Sequence, residues 1–175
     1  MIFALCKVTI LQGVRRPSVP CSMPNPIDIK AKAPFPGGAL SNFAPHAFTL
    51  DGVACASMES FLQSLKVADA AEQEGFCALP GPEAQGRGRG YDWVQSGHLF
   101  WRGAVVDRLS DDYQALLDRA YAALFAQASK FRAALAASGE APLVHSLGKD
   151  DPTETILTTE EFCSRLERLR ARLKE

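Results

Sequence analysis

The chain has 175 residues, of which 47% are hydrophobic and 22% are charged, enough for one domain with a substantial core. Its formal net charge of −1 provides no basic field to attract long nucleic acid, which argues against a general DNA- or RNA-binding protein. A single modified nucleotide remains open as a substrate. No apolar run approaches the roughly 20 residues of a membrane-spanning helix, so we expect no membrane association.

The cysteines and histidines predict neither a disulfide framework nor a metal site. The five cysteines are odd in number and widely scattered, without a Cys-x-x-Cys pair, and the three histidines lie far apart. We therefore expect a reducing, cytoplasmic setting, no bound metal and no cofactor.

The first residues are set apart from the predicted domain. The apolar stretch from Met1 to Cys6 has no basic segment before it, so a signal peptide is a poor interpretation, and translation from Met23 is an open alternative. We expect residues 1–25 to be a poorly structured or mis-annotated N-terminal extension and residues 26–175 to form the domain.

The first half of the domain shows a hairpin followed by a helix. Residues 24–38 are rich in Pro and Gly and predict an extended lead-in. Asp51-Gly52 lies between two short apolar runs and predicts a β-hairpin, because both residues tolerate positive φ. Ser57 is expected to cap a helix that reaches Glu74 and ends at Gly75. The Gly- and Pro-rich residues 79–97 predict a loop.

The second half predicts one further hairpin and three helices. The hairpin spans residues 98–106, and Ser110 caps the long helix that follows it. A shorter helix covers residues 128–138, and Thr158 and Glu161 form a capping box that opens the last helix, with Leu173 among its inward residues. The fold class predicted is therefore a mainly helical single α+β domain with a small β-sheet.

Three polar residues of the first predicted helix share one face. Glu59, Gln63 and Lys66 lie at positions i, i+4 and i+7, beside an apolar stripe. A carboxylate at the edge of a core is partly desolvated, which raises its proton affinity, whereas a nearby ammonium lowers it. The same spacing also fits an ordinary solvated helix flank with a Glu–Lys pair.

Three segments together resemble the signature of the NADAR / YbiA-like family. They are Leu40-Ser41-Asn42-Phe43, Leu50-Asp51-Gly52 and the helix start from Ser57 to Lys66, in the family's order and spacing. The resemblance covers residues 38–173 and takes in residues 124–127 and 143–145. It implies a YbiA-like fold and an N-glycosidase that cleaves the bond between a ribose carbon and a nitrogen. The family's glutamate falls on Glu59, which is therefore expected to be catalytic.

The resemblance leaves the second catalytic group open between two neighbours. An ungapped match places a family aspartate on Asp150, and Asp151 is one residue away. Glycoside chemistry stabilises an oxocarbenium-like transition state with two carboxylates. By analogy, Glu59 would stabilise the ribosyl cation or activate water, and Asp150 or Asp151 would be the second carboxylate. A simple turn before Pro152 is the alternative interpretation.

Further residues are expected to bind the substrate. Gln63 and Lys66 would hold ribose hydroxyls or a phosphate. Arg87 and Arg89, within a Gly-Arg run, are a candidate phosphate clamp, with a flexible solvated loop as the alternative.

Aromatic candidates carry a similar ambiguity. Asn42 and Phe43 are expected to line the pocket, with Phe43 stacking on a base, although a core phenylalanine is the commoner case. A family tryptophan has no clear match here. Leu109 or Tyr113 falls near its position, and Trp93 or Trp101 is a candidate substitute.

The expected substrate is an ADP-ribose-like or ribosyl-phosphate nucleotide, or an ADP-ribosylated base. Some relatives reverse ADP-ribosylation, which implies functional pairing with an ADP-ribosyltransferase toxin. A non-catalytic nucleotide- or ADP-ribose-binding or sensing module is the alternative from another class. Glu59 favours the enzyme, because binding an anionic phosphate gains nothing from a carboxylate.

Overall fold

The computed structural model describes residues 24–174, so the predicted N-terminal extension lies outside the described residues except for its last two positions. Of the helices within that range, none is long and apolar enough to cross a bilayer. The elements in chain order are β1 (Ile27–Asp28), α1 (Gly37–Leu40), β2 (Phe48–Leu50), β3 (Val53–Cys55), α2 (Met58–Ser64), α3 (Ala70–Cys77), α4 (Gly81–Gly88), β4 (His98–Trp101), β5 (Ala104–Asp107), α5 (Asp111–Gln127), α6 (Ser129–Ala137), β6 (Leu143–Val144) and α7 (Thr159–Ala171), followed by a 3-10 turn at Arg172–Lys174.

The prediction of a mainly helical α+β fold is confirmed, although the strands form three separate pairs rather than one sheet. β2 and β3 form one antiparallel hairpin and β4 and β5 another, and both hairpins were predicted. Asp51 and Gly52 have φ values of 49° and 85°, and Arg102 and Gly103 have 51° and 79°. Positive φ at both central residues is the requirement of a type I′ turn, the two-residue turn that closes both hairpins.

The single helix predicted from Ser57 to Glu74 is wrong, because the chain breaks it into α2 and α3. The Ser57 cap itself is confirmed, since its Oγ accepts from the backbone N–H of Ser60 at 3.1 Å. The buried side chain of Gln73 explains the break. Its Nε2 donates to the carbonyl groups of Ser64 at 3.1 Å and Val67 at 3.2 Å, which a continuous helix would have used internally. Gly75 lies inside α3, so the prediction that it ends a helix is wrong.

The loop predicted for residues 79–97 contains α4, so this prediction is also wrong in part. Glycine is a poor helix former, but tertiary packing overrides that preference. Gly81, Ala84 and Gly88 are the buried residues of α4 and lie against α2. A Cβ atom on Gly88 would lie 2.1 Å from Oε1 of Gln63, and one on Gly81 would lie 3.2 Å from Cβ of Glu59. The small residues therefore let α4 approach the polar face of α2.

The three C-terminal helices contribute a large part of the hydrophobic core, together with the hairpins and α2. The predicted Ser110 cap of α5 is confirmed, and the capping box between Thr158 and Glu161 is present at the start of α7. The inward prediction for Leu173 is wrong: it is 37% exposed, because α7 ends at Ala171 and the 3-10 turn redirects the chain. Buried Arg108 donates to both carboxylate oxygens of Glu161, at 3.0 and 2.7 Å, and ties the start of α7 to β5.

Two glycines of α4 provide a matched test of this packing. We expect Gly88→Ala to lower the free energy of unfolding by about 1–3 kcal/mol, because the new methyl group displaces the side chain of Gln63. Gly86→Ala, in the same helix with no atom within 4 Å of its Cβ position, should be neutral or stabilising by up to about 1 kcal/mol. Urea unfolding of both variants measures the difference, and equal stabilities would contradict the proposed close contact.

Candidate active site

A cavity of about 290 Å³ lies at the polar face of α2. One wall comes from the loop at residues 41–43 and from α2 itself, and Gln85 of α4 closes one side. The opposite wall is the largely irregular segment 145–157 together with Phe162 of α7. We refer to this space as the Glu59 cavity, because the carboxylate of Glu59 lies in its wall.

Glu59 is the most unusual side chain of this cavity. It is only 6% exposed, and its Oε1 accepts a hydrogen bond of 2.8 Å from Nε2 of Gln63. Burial raises the pKa of Glu59 above its ordinary value of 4.5, while the Gln63 hydrogen bond and the charge of Lys66 oppose that rise. A carboxylate held this way is poorly solvated when ionised and is correspondingly more basic.

The polar helix face predicted for Glu59, Gln63 and Lys66 is present, with Gln63 and Lys66 close to the Glu59 carboxylate. Lys66 is half-buried, and its Nζ donates to the carbonyl oxygen of Gly88 at 3.3 Å. Burial lowers the pKa of Lys66, and the nearby Glu59 charge opposes the change. Lys66 does not line the Glu59 cavity itself. Its ammonium therefore acts on Glu59 from the α4 side, through space.

The loop before α2 positions two further cavity residues. The backbone N–H of Glu59 donates to the carbonyl of Asn42 at 2.8 Å, which ties this loop to the first turn of α2. The hydroxyl of buried Tyr121 donates to Oδ1 of Asn42 at 2.8 Å. That contact orients the Asn42 amide and leaves its Nδ2 as a free donor. Phe43 follows and contributes part of its ring to the cavity wall.

Some residues predicted for the site do not lie in this cavity. Asp150 and Asp151 are exposed and are absent from the wall. Asp151 accepts from the N–H and the hydroxyl of Thr153 at 2.8 and 2.6 Å, which lowers its pKa. This local turn is the alternative that the Asp-Pro sequence indicated. The second-carboxylate role of either residue stays a prediction that their positions do not support.

The predicted phosphate clamp also lies outside the cavity. Arg87 is exposed on α4 and pairs with Glu83 at 2.9 Å, and Arg89 is exposed just after the helix. Gln85, two residues before Arg87 in α4, lines the cavity. Neither Arg87 nor Arg89 does.

The two aromatic candidates are core residues in the structure. Nε1 of buried Trp101 donates to Asp51 at 2.8 Å, and its ring packs edge-on against Phe61. Tyr113 is fully buried beneath the guanidinium of Arg108, and its hydroxyl donates to the carbonyl of Ile156. Tyr113 therefore supports the cavity wall indirectly, since Ile156 lines the cavity.

The sequence prediction missed His145, which lies in the same cavity wall as Glu59. Its Nδ1 is 2.6 Å from the carbonyl oxygen of Ile29. Because a carbonyl oxygen only accepts, Nδ1 carries the proton of the neutral ring and Nε2 carries the lone pair. Nε2 forms no hydrogen bond within residues 24–174. The resemblance at residues 143–145 was the available signal for this residue.

Two charged residues of the far wall were also missed. Lys149 and Glu154 line the cavity and pair with each other at 3.1 Å. Glu154 therefore has an ion-pair partner, whereas Glu59, the other carboxylate of the cavity wall, forms no ion pair with any described residue. In the part of the chain that the structure describes, no three His, Cys, Asp or Glu side chains come together as a metal-ligand set.

Known proteins share this architecture. Residues 34–171 match the family model described as bacteriophage protein GP30.3. The chain is 39% identical over 149 residues to an uncharacterized 17.1 kDa protein from the Gp30–rIII intergenic region of Enterobacteria phage T4, covering 82% of this chain and 96% of that protein. The NMR structure of the E. coli protein YbiA superposes with a TM-score of 0.57 at 20% identity, covering 87% of this chain and 86% of the other.

The matching family model and the YbiA-like fold together place the protein in the NADAR / YbiA-like class, which confirms the resemblance. Within that class, the chain belongs to the bacteriophage protein GP30.3 family.

The pH dependence of stability tests the burial of Glu59. A folded-state pKa above the unfolded value means that the native protein binds the proton more tightly, so this group's contribution to stability falls as pH rises from about 4.5 through the raised pKa. Glu59→Gln removes this contribution. The free energy of unfolding of Glu59→Gln relative to wild type should therefore increase with pH across that window.

Exposed Glu74 provides the control for this measurement, since Glu74→Gln removes the same charge from the surface of α3. Its stability relative to wild type should vary little with pH. A relative stability of Glu59→Gln that decreases with rising pH would show that the native fold favours the ionised carboxylate.

Proposed function

We propose that this protein is an N-glycosidase that hydrolyses the ribosyl N-glycosidic bond of an ADP-ribose-like or ribosyl-phosphate nucleotide. The supporting observation is the buried carboxylate of Glu59 in the wall of a cavity, hydrogen-bonded to Gln63. Burying a carboxylate is unfavourable for stability, so its presence beside a cavity favours a functional role. A base carrying ADP-ribose, as left by an ADP-ribosyltransferase, is a substrate of this class.

The proposed chemistry uses Glu59 at the sugar carbon. As the bond from C1′ to the nitrogen breaks, its electron pair goes to the nitrogen and positive charge develops on the ribose. The Glu59 carboxylate stabilises that charge and accepts a proton from the water whose oxygen attacks C1′. The burial of Glu59 strengthens this electrostatic effect, because little water reaches the carboxylate to screen it.

His145 supplies the second proton-transfer group of the proposal. Its Nδ1 proton is held by the Ile29 carbonyl, so proton exchange with a substrate takes place at Nε2. Protonated Nε2 donates to the leaving nitrogen, and the resulting neutral ring is the tautomer that the Ile29 contact favours. The proposal therefore pairs one carboxylate with one histidine.

A second candidate function is a nucleotide-binding or sensing module without turnover. The observation that favours it is the position of Asp150 and Asp151, which leaves the cavity without a second unpaired carboxylate. Both functions use the same cavity, and a turnover assay separates them.

Replacement of Glu59 is the central test of catalysis. The wild type and Glu59→Gln are incubated with ADP-ribosylated guanosine, NAD and riboflavin-pathway intermediates, and released ADP-ribose or sugar phosphate is measured. We expect the variant to be slower by about 10²–10⁴-fold, because the amide neither accepts the proton nor stabilises a cation as well. Glu74→Gln, a surface change, should retain wild-type turnover.

Unchanged turnover in folded Glu59→Gln would remove the catalytic assignment, and absence of turnover in the wild type on every substrate would favour the binding module. Asp150→Asn and Asp151→Asn extend the test. A loss in either as large as that of Glu59→Gln would give the second role to that aspartate.

Two replacements of His145 separate its structural and chemical roles. Asn can keep the N–H that binds the Ile29 carbonyl while lacking an atom at the Nε2 position, and Gln can place an amide near Nε2 without titrating. We expect both variants to fold and to lose about 10²-fold or more in turnover, because neither amide donates a proton to the leaving nitrogen. Wild-type turnover in folded His145→Gln would contradict the assignment.

A further inference from the structure

A second concavity begins at Phe43, which also lines the Glu59 cavity. It has a volume of about 490 Å³ and mostly apolar walls, including Ala39 and Pro82. Lys32 and Lys130 are its charged side chains, and we call it the Phe43 groove. Because Phe43 belongs to both walls, the two spaces lie next to each other.

The charge of the Phe43 groove is uniformly positive. Its lining contains two lysines and no carboxylate, and the remaining titratable side chain, His46, uses its Nε2 on the Ala39 carbonyl at 2.8 Å. Neither Lys32 nor Lys130 forms an ion pair with a carboxylate of residues 24–174. Two ammonium groups without a protein counter-charge are suited to bind an anion.

Among the described residues, the Glu59 cavity has no unpaired ammonium group in its wall that could bind an anion. Its ammonium group, Lys149, is already paired with Glu154, and Glu59 adds a carboxylate. Its volume of about 290 Å³ lies just below the usual range for small-molecule pockets, roughly 300–1,000 Å³. A nucleotide whose ribose lies beside Glu59 must therefore extend beyond this cavity, with its phosphates away from the carboxylate.

We infer that the Phe43 groove binds the phosphate-bearing part of a nucleotide whose ribose occupies the Glu59 cavity. Lys32 and Lys130 contact the phosphate oxygens, and the apolar wall with Phe43 packs against the remaining base. This inference rests on the proposed function for the position of the ribose. It selects nucleotides with a phosphate group beyond the ribose over uncharged nucleosides.

Calorimetric titration of the full chain with ADP-ribose and with adenosine tests the groove. We expect Lys32→Ala/Lys130→Ala to bind ADP-ribose about tenfold or more weakly than wild type, because two charge-assisted contacts are lost. The wild-type affinity for ADP-ribose should also fall with added salt. The affinity for adenosine, which carries no phosphate, should not change between the two proteins.

The control is Arg119→Ala/Lys174→Ala, which removes the same charge from exposed residues outside both spaces. It should bind ADP-ribose like wild type. An equal loss in this control would assign the effect to the overall charge of the protein and overturn the groove. Unchanged affinity in the lysine variant, or no binding of ADP-ribose by the wild type, would overturn it too.

The outcomes distinguish this inference from the proposed hydrolysis. Lysine-dependent binding of ADP-ribose without turnover of any nucleotide would support the groove and reject the glycosidase. Turnover that depends on Glu59, with binding that does not depend on the two lysines, would support the glycosidase and reject the groove.

Discussion

Close contact between α2 and α4 creates the environment of Glu59. Gly81 and Gly88 bring the α4 backbone against Glu59 and Gln63, at distances that leave no room for a Cβ atom on Gly88. Water is thereby kept from most of the carboxylate, so Gln63 becomes its hydrogen-bond partner and the pKa rises. Without this contact, Glu59 would be an ordinary solvated residue of a helix flank.

The opposite wall of the cavity depends on side chains rather than on regular secondary structure. Buried Arg108 binds the carbonyl of Thr155 at 2.9 Å as well as the carboxylate of Glu161, and Tyr113 holds the carbonyl of Ile156. Removing one partner of a buried ion pair is costly, because the other charge is left uncompensated. The core of α5 and α7 thus fixes an irregular segment whose residues face Glu59.

Local signals account for the elements that were predicted correctly. Asp51-Gly52 determines a hairpin through its own backbone preferences, and Ser57 and Thr158 cap helices through contacts three residues away. The errors have non-local causes. The break after α2 needs the carbonyl contacts of Gln73, and α4 needs glycines that are useful only when α2 lies beside them.

The amino-acid sequence by itself determined that Glu59 and Gln63 share one helix face, because the helical period places residues i and i+4 together. It also indicated the fold class through its resemblance. Only the tertiary structure decided that His145 faces the same cavity and that Asp150 does not. The reason is that His145 is held by Ile29 next to the parallel pair β1–β6, a contact 116 residues apart in sequence, whereas Asp150 is exposed and lies outside the cavity wall. No local pattern encodes such a pairing.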